Sequence, residues 1–401
     1  MLKGLNIAAL AGIVLASPLA ASSQDAGGPR AAQTPPLAQV DNSRAPTVAF
    51  DVDPQPLKLP AGWNFGETLG IAINSKGAIV VLNHPGTATS GPIYGGATTN
   101  LWEFDARGRY KREIGAGVYG LAYGHAVRFD KYDNLWYVDK STNQVIKFNP
   151  EGRAVMNLGR RHEGHDSFDL DPERLQRHLG AKATPGGSVL NGPTDVTWDA
   201  DDYIYVSEGY ENNRVAKYNK WGDYVGNWGG YGEGGANGDQ NPGKFRLIHG
   251  IAMDRDGNVY TADRGNRRIQ VFNKNGEFLR FLHLNAPYDK AHKPTLGDIP
   301  ANPAGRPDQT APWALCITNT PTQYLYAVDS EPSRIYKMTL DGRILAVASS
   351  SGRRDHQLNW PHAIACPSEN VVWIADMNNW AIKKFTLYPN RPVTPPRENQ
   401  N

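Results

Sequence analysis

Sulfur is scarce in this chain of 401 residues, which has two cysteines, Cys316 and Cys366, and five methionines. No Cys-x-x-Cys pair exists, which excludes a thiolate zinc site and a redox dithiol. An excess of either charge is missing too. The net charge is +2, so there is no electrostatic case for nucleic acid or for an anionic membrane surface. Long apolar runs are also missing. The one apolar stretch, 7–16, is too short to span a bilayer. It follows Met1-Leu2-Lys3 and precedes small residues up to Ser22, so residues 1–22 read as a cleaved secretion signal. The expected location is periplasmic or secreted. No cysteine follows the signal, so neither a lipid anchor nor any other membrane anchor is expected. Residues 23–44 are polar and rich in Pro and Ala and read as a disordered linker, and 391–401 read as a disordered tail.

Turn formers and aromatics are abundant. The 42 glycines and 29 prolines fall mainly between short apolar segments, and 10 Trp and 18 Tyr suit half-buried pleated surfaces. Residues 245–282 show the unit that organises the chain, FRLIHGIAMDRDGNVYTADRGNRRIQVFNKNGEFLRFL. Strands are expected at 248–253, 259–262, 268–273 and 277–282, with turns at 254–258, where Gly257 accepts φ > 0, and at 274–276. A single four-stranded sheet cannot bury both of its faces, and copies of the unit recur at 124–159, 192–229, 311–349 and 359–387, with a degenerate first copy near 68–114. Six such units imply an all-β, six-bladed β-propeller over 45–390. The last unit supplies three clear strands, and 47–52 (TVAFDV) is expected to supply its fourth and to close the ring. Cys316 and Cys366 fall on the expected innermost strands of neighbouring blades, where buried free thiols are expected and a disulfide is the alternative.

Alignment of the units exposes one position. Five residues before the residue that ends each first strand (Asn74, Asp130, Asp199, Asp254 and their counterparts) stand Leu69, His125, Thr194, His249, Trp313 and His362. Histidine occupies this slot in blades two, four and six and in no other blade. The first strand of a blade lines the central channel, and alternate blades of a six-fold ring are about 120° apart. His125, His249 and His362 should therefore meet on the axis as a three-histidine metal site with an open fourth position. Around one zinc ion the ligand nitrogens would lie about 3.3 Å apart. Proton competition would weaken the site as pH falls through about 6.5. Zinc is preferred because imidazole suits it and no redox ligand set is evident, although copper, iron and nickel accept the same ligands. Taken singly, each histidine reads as an ordinary core residue, and it is the alternation that argues for a metal.

A second repeating position is acidic, with Asp139, Glu208, Asp263, Asp329 and Asp376, and is followed by Asn143, Arg214, Arg268 and Arg334. This pattern resembles the NHL repeat, and its expected role is structural, tying the second strand of a blade to the third. In blade three the turn reads Ser207-Glu-Gly-Tyr-Glu-Asn-Asn-Arg214, which places Tyr210 on a loop at the channel mouth. A phenol near a divalent cation has a lowered pKa and can act as general base.

Together GHAVRFDKYDNLWYVD, GPTDVTWDADDYIYVSEGYENNRV, IHGIAMDRDGNVYTADRGNRRIQVF and WPHAIACPSENVVWIADMNNWAIKKFTL resemble the peptidyl-α-hydroxyglycine α-amidating lyases, which are six-bladed NHL propellers. The resemblance covers about 66–387. It implies zinc on His125, His249 and His362, an active-site tyrosine at Tyr210, and a site arginine at Arg264. It also implies C–N cleavage of a hemiaminal to an amide and glyoxylate. Three positions depart from the family. Pro85 stands where its blade-one arginine would be, Trp360 replaces a methionine, and Ala363 replaces the aspartate that would bind calcium with carbonyls near Ile71 and Val127. Without that carboxylate, Ca2+ is not expected, and the substrate is expected to differ from the family's or to be held less strictly. His84 is a weak substitute for the lost arginine.

The expected partner is a small-molecule or peptide substrate, acted on by a monomer. A non-catalytic NHL propeller that binds a peptide or glycan around a structural metal is the alternative. A metal-dependent hydrolase or lactonase is a third reading, disfavoured because no Asp or Glu occupies the slot. Long connections at 159–188 (with His162 and His165), 229–244 and 283–310 either rebuild the pocket rim or decorate the surface.

Overall fold

The second strand of most blades is buried along its whole length, and the structure shows why. In Leu135–Asp139, Ile204–Glu208, Val259–Asp263 and Leu325–Asp329 every residue is buried, because each blade is covered on both faces by its neighbours. The outermost strands reach solvent and alternate instead, as in Tyr224–Gly229. The computed structural model describes residues 40–85, 99–161, 189–232, 241–291 and 308–393. Residues 1–22, most of the linker, and the middle of each long connection (162–188 with His162 and His165, 233–240 and 292–307) lie outside the described residues.

Six antiparallel four-stranded sheets form the blades. Their innermost strands are, in order, Glu67–Ile73, Gly124–Phe129, Pro193–Trp198, Ile248–Met253, Pro312–Ile317 and Pro361–Ser368. Five blades are built from consecutive strands. In the sixth, Ala49–Asp53 pairs with Ala381–Tyr388 as the outer strand, so the closing strand expected at 47–52 starts two residues later and ends one residue later. Thr47 bridges instead to Val347 of blade five. The chain is already docked at Asn42, which is buried and accepts the Ile344 N–H at 2.8 Å. At the other end, Arg391 is paired with Asp51 at 2.7 Å.

The apolar core is a set of layers between adjacent blades. Between blades one and two, Leu82, Leu101 and Ile114 pack with Val127, Tyr137 and Phe148. The acidic residues at the ends of the second strands carry the expected structural load. Asp263 accepts the Arg246 N–H at 2.9 Å and pairs with Arg268 at 2.9 Å, and Glu208 pairs in the same way with Arg214. Blade two departs from this. Asn143 precedes the third strand with φ 57° and accepts the Gly192 N–H of blade three, while Gln144 takes the arginine position.

The cysteine expectation is corrected. Cys316 and Cys366 form a disulfide between the inner strands of blades five and six, with Cα atoms 6.0 Å apart. Inner strands converge toward the axis, which brings these two Cα atoms within disulfide span.

Candidate metal centre

In every blade the innermost strand shifts register at the slot. The pairing with the second strand skips Leu69, His125, Thr194, His249 with Gly250, Trp313 and His362. Each slot residue thus lies in a β-bulge, which frees its backbone from the ladder and re-aims its side chain. The freed carbonyls have a clear use. Nδ1 of His125 is 2.6 Å from the Thr194 carbonyl, Nδ1 of His249 is 2.9 Å from that of Trp313, and Nδ1 of His362 is 2.8 Å from that of Leu69. A carbonyl only accepts, so each Nδ1 is the protonated nitrogen and each Nε2 carries a lone pair. The blades without a histidine therefore orient those that have one.

The three rings form a nearly equilateral set, with centroids 4.6, 4.8 and 4.8 Å apart. Their ligand nitrogens all lie within 4.8 Å of one another, and the three side chains are buried. Burial, together with neighbouring positive charge, holds His125 and His249 well below the ordinary imidazole value and His362 down to about 3. Three neutral imidazoles with facing lone pairs and fixed tautomers fit a divalent transition ion that accepts nitrogen ligands.

Tyr210 stands over this set. Its hydroxyl is 3.2 Å from Nε2 of His125, and its ring meets that imidazole edge-on with centroids 5.4 Å apart. Gly209 makes this approach possible, since a Cβ there would lie 1.9 Å from the Ile248 carbonyl of blade four. Burial pushes the phenol up to about 12, so with no ion beside it Tyr210 is neutral at pH 7 and can donate to the unprotonated Nε2 of His125. Arg264 lies across the mouth with its guanidinium 3.4 Å from the centre of the Trp313 ring, and burial lowers it to about 10. Trp313 in turn packs 5.0 Å from His249.

His84 does not replace the missing arginine at the rim. It is buried, 3.5 Å from the Glu67 carboxylate, and packed at a tilt 4.4 Å from Tyr123. A cation that motif reading passed over, Lys140, lies over the faces of Tyr123 (4.5 Å) and Tyr210 (4.4 Å). The signal for it was register, since Lys140 follows Asp139 as Arg264 follows Asp263.

Three residues beyond the slot in blade two, the channel holds a cation of its own. Arg128 pairs with both carboxylate oxygens of Asp195 (2.9 and 2.6 Å) and donates to the carbonyls of Leu315 (3.1 Å) and Ile364 (3.4 Å). Those carbonyls occupy the same register positions in blades five and six as Ile71 and Val127 in blades one and two.

Fold and site define a six-bladed β-propeller with a three-histidine cluster on its axis. The family model for the NHL repeat matches residues 245–272, in blade four. The chain is 27% identical over 288 residues to peptidyl-alpha-hydroxyglycine alpha-amidating lyase 1 of Drosophila melanogaster, covering 70% of this chain and 47% of that protein. It is 26% identical over 273 residues to peptidyl-glycine alpha-amidating monooxygenase of Mus musculus, covering 67% of this chain and 24% of that protein. It is 41% identical over 151 residues to the mouse NHL repeat-containing protein 3, covering 36% of this chain and 37% of that protein. The chain thus spans from about a quarter to about half of the relatives it matches. Among solved structures, a streptogramin B lyase is similar at 15% identity and TM-score 0.49, covering 87% of this chain and all of that one.

Proposed function

We propose that this protein is an exported, zinc-dependent lyase that cleaves the C–N bond of a hemiaminal, an N-acyl-α-hydroxyglycine or a close analogue. One observation carries this reading: three buried imidazoles from alternate blades, each with Nδ1 fixed on a carbonyl, bring their free nitrogens within 4.8 Å of one another. The relatives named as amidating lyases support the choice of reaction. His125, His249 and His362 would hold the zinc, which when bound supplies a Lewis acid for a substrate hydroxyl or carbonyl oxygen.

The chain's own residues can manage the protons. Cleavage of the C–N bond removes a proton from the hydroxyl oxygen and adds one to the departing amide nitrogen, with no net change. Tyr210, neutral at pH 7, can give its proton to the nitrogen and recover one from the hydroxyl. Arg264 can hold an anionic group of the substrate at the mouth. Arg128, paired with Asp195, donates to two inner-strand carbonyls at the level where the resemblance would place calcium, and no calcium is proposed for this chain. The Cys316–Cys366 disulfide suits an oxidising compartment and supports the secretion signal read in residues 1–22.

The test is turnover of N-benzoyl-α-hydroxyglycine by the zinc-loaded protein, read as glyoxylate release. Wild type should release glyoxylate, and chelation should stop it. Tyr210→Phe should keep its zinc and lose roughly 10²–10⁴-fold in kcat, the usual range for a lost acid–base group. A zinc-loaded wild type that turns over no hemiaminal would leave the non-catalytic propeller in its place.

A further inference from the structure

Lys140 and Arg264 occupy one structural position in two blades. Each follows the acidic residue that ends a second strand, and each of those acids pairs with the start of the inner strand that carries a ligand histidine. The matching residues elsewhere are His84, Gly209, Ser330 and Met377. The two cations therefore stand in one layer above the imidazoles, on blades about 120° apart around the ring. The connection to the metal ligands is the same on both sides. Lys140 rests on the ring of Tyr210, whose hydroxyl reaches His125, and Arg264 rests on the ring of Trp313, which packs on His249.

Neither cation makes an ion pair among the described residues; their close partners are aromatic faces. Both are half-buried: burial and the Arg264 charge lower the lysine below its ordinary value, and burial lowers Arg264 to about 10. Three acids act on them, Asp139 and Glu67 on the lysine and Glu331 on the arginine, and the Asp139 carboxylate already accepts the N–H groups of Ala122, Tyr123, Ser141 and Thr142 and the Tyr137 hydroxyl. Glu67 is engaged with His84, and burial pushes Glu331 up toward its neutral form. Two like charges held together, partly dehydrated and unpaired, are unfavourable until an anion joins them.

We propose that Lys140 is the anion anchor of this site, binding a substrate carboxylate jointly with Arg264 and replacing the blade-one arginine whose position Pro85 occupies. The anchor rests on the geometry of the mouth. The identity of its ligand, a carboxylate on the carbon that bears the reacting hydroxyl, rests on the lyase reading. Such a carboxylate would reach both cations while the adjacent oxygen faces the three imidazoles. Lys140 is then a specificity-determining residue that favours α-hydroxy acids over neutral α-hydroxy amides.

The experiment titrates zinc-loaded protein with glycolate and, as a neutral match, glycolamide, in wild type, Lys140→Gln and Lys140→Arg. Metal analysis and thermal melting first establish equal zinc content and an intact fold. Wild type should prefer glycolate, and Lys140→Gln should weaken glycolate about tenfold or more, as expected for a lost charge-assisted contact. Lys140→Arg should restore most of that loss, and glycolamide binding should not respond to either change. In turnover of N-benzoyl-α-hydroxyglycine, Lys140→Gln should raise KM far more than it lowers kcat. Equal glycolate binding by Lys140→Gln and wild type, or no wild-type preference for glycolate, would overturn the anchor. Lysine-dependent glycolate binding without turnover of any hemiaminal would uphold the anchor and defeat the lyase reading. Turnover indifferent to Lys140 would do the reverse.

Discussion

The behaviour of the metal centre is set by which nitrogen of each histidine carries the proton. The carbonyls of Leu69, Thr194 and Trp313 determine this by accepting Nδ1–H, so no imidazole has to change tautomer to bind an ion. Burial has a further consequence. Three ordinary histidines would take up protons below about 6.5, and by pH 5.5 a site made of them would lose about 10³-fold in affinity. Here the folded-state values lie below that, with His362 at about 3, so the neutral, metal-ready form persists to lower pH. Zinc affinity measured between pH 7.5 and 5.5 should therefore fall by less than about tenfold. A loss near the full 10³-fold would show that the imidazoles titrate as if exposed. In the metal-free protein the same shift acts against the fold. The unfolded chain binds protons below about 6.5 and the folded site does not, so stability present above that pH declines as pH falls. The histidine slot was legible in the sequence because it repeats by residue type. The carbonyls that orient it were not, since Leu, Thr and Trp have nothing in common there but a backbone oxygen. Lys140 was hidden for a related reason, because one lysine among 42 basic residues becomes visible only once strand register places it beside Arg264.

Within a blade, two devices recur. One is the bulge at the slot, which turns a side chain that would lie against a neighbouring sheet toward the axis. The other is the buried acid at the end of the second strand, which holds the approach to the inner strand and pairs with the third. The repeating Asp and Arg made the second device readable in advance. The bulge was not readable, because it follows from the inner strands crowding around the axis and has no residue signature. The ion pair also predicts a cost. Asp263 accepts the Arg246 N–H, both Arg268 and Gln270 donate to it, and it is fully buried. Asp263→Ala leaves Arg268 buried without its counter-charge and should destabilise the protein by about 3–5 kcal/mol. Denaturant unfolding at fixed zinc checks this, and a change under about 1 kcal/mol would mean that the pair is solvated or replaceable.

At the scale of the whole ring, three of the contacts that join parts of the chain far apart in sequence stand out. Ala49–Asp53 completes the last blade, Cys316 is bonded to Cys366, and Arg128 with Asp195 spans the channel from blades two and three to carbonyls of blades five and six. The first was foreseen because the last repeat is one strand short. The disulfide was not, since spacing alone gives no Cα–Cα distance. A ring closed in these ways holds the blades in place without help from an ion, so its axis can present three ligands that are already converged. The most direct measurement is the zinc content and zinc X-ray absorption of purified wild type beside His125→Ala, His249→Ala and His362→Ala. The expected result is one zinc per chain with three imidazole nitrogens at about 2.0–2.1 Å, lost in each variant while the melting transition stays cooperative. Wild type without stoichiometric zinc after growth with zinc available, or variants that keep it, would contradict the three-histidine centre.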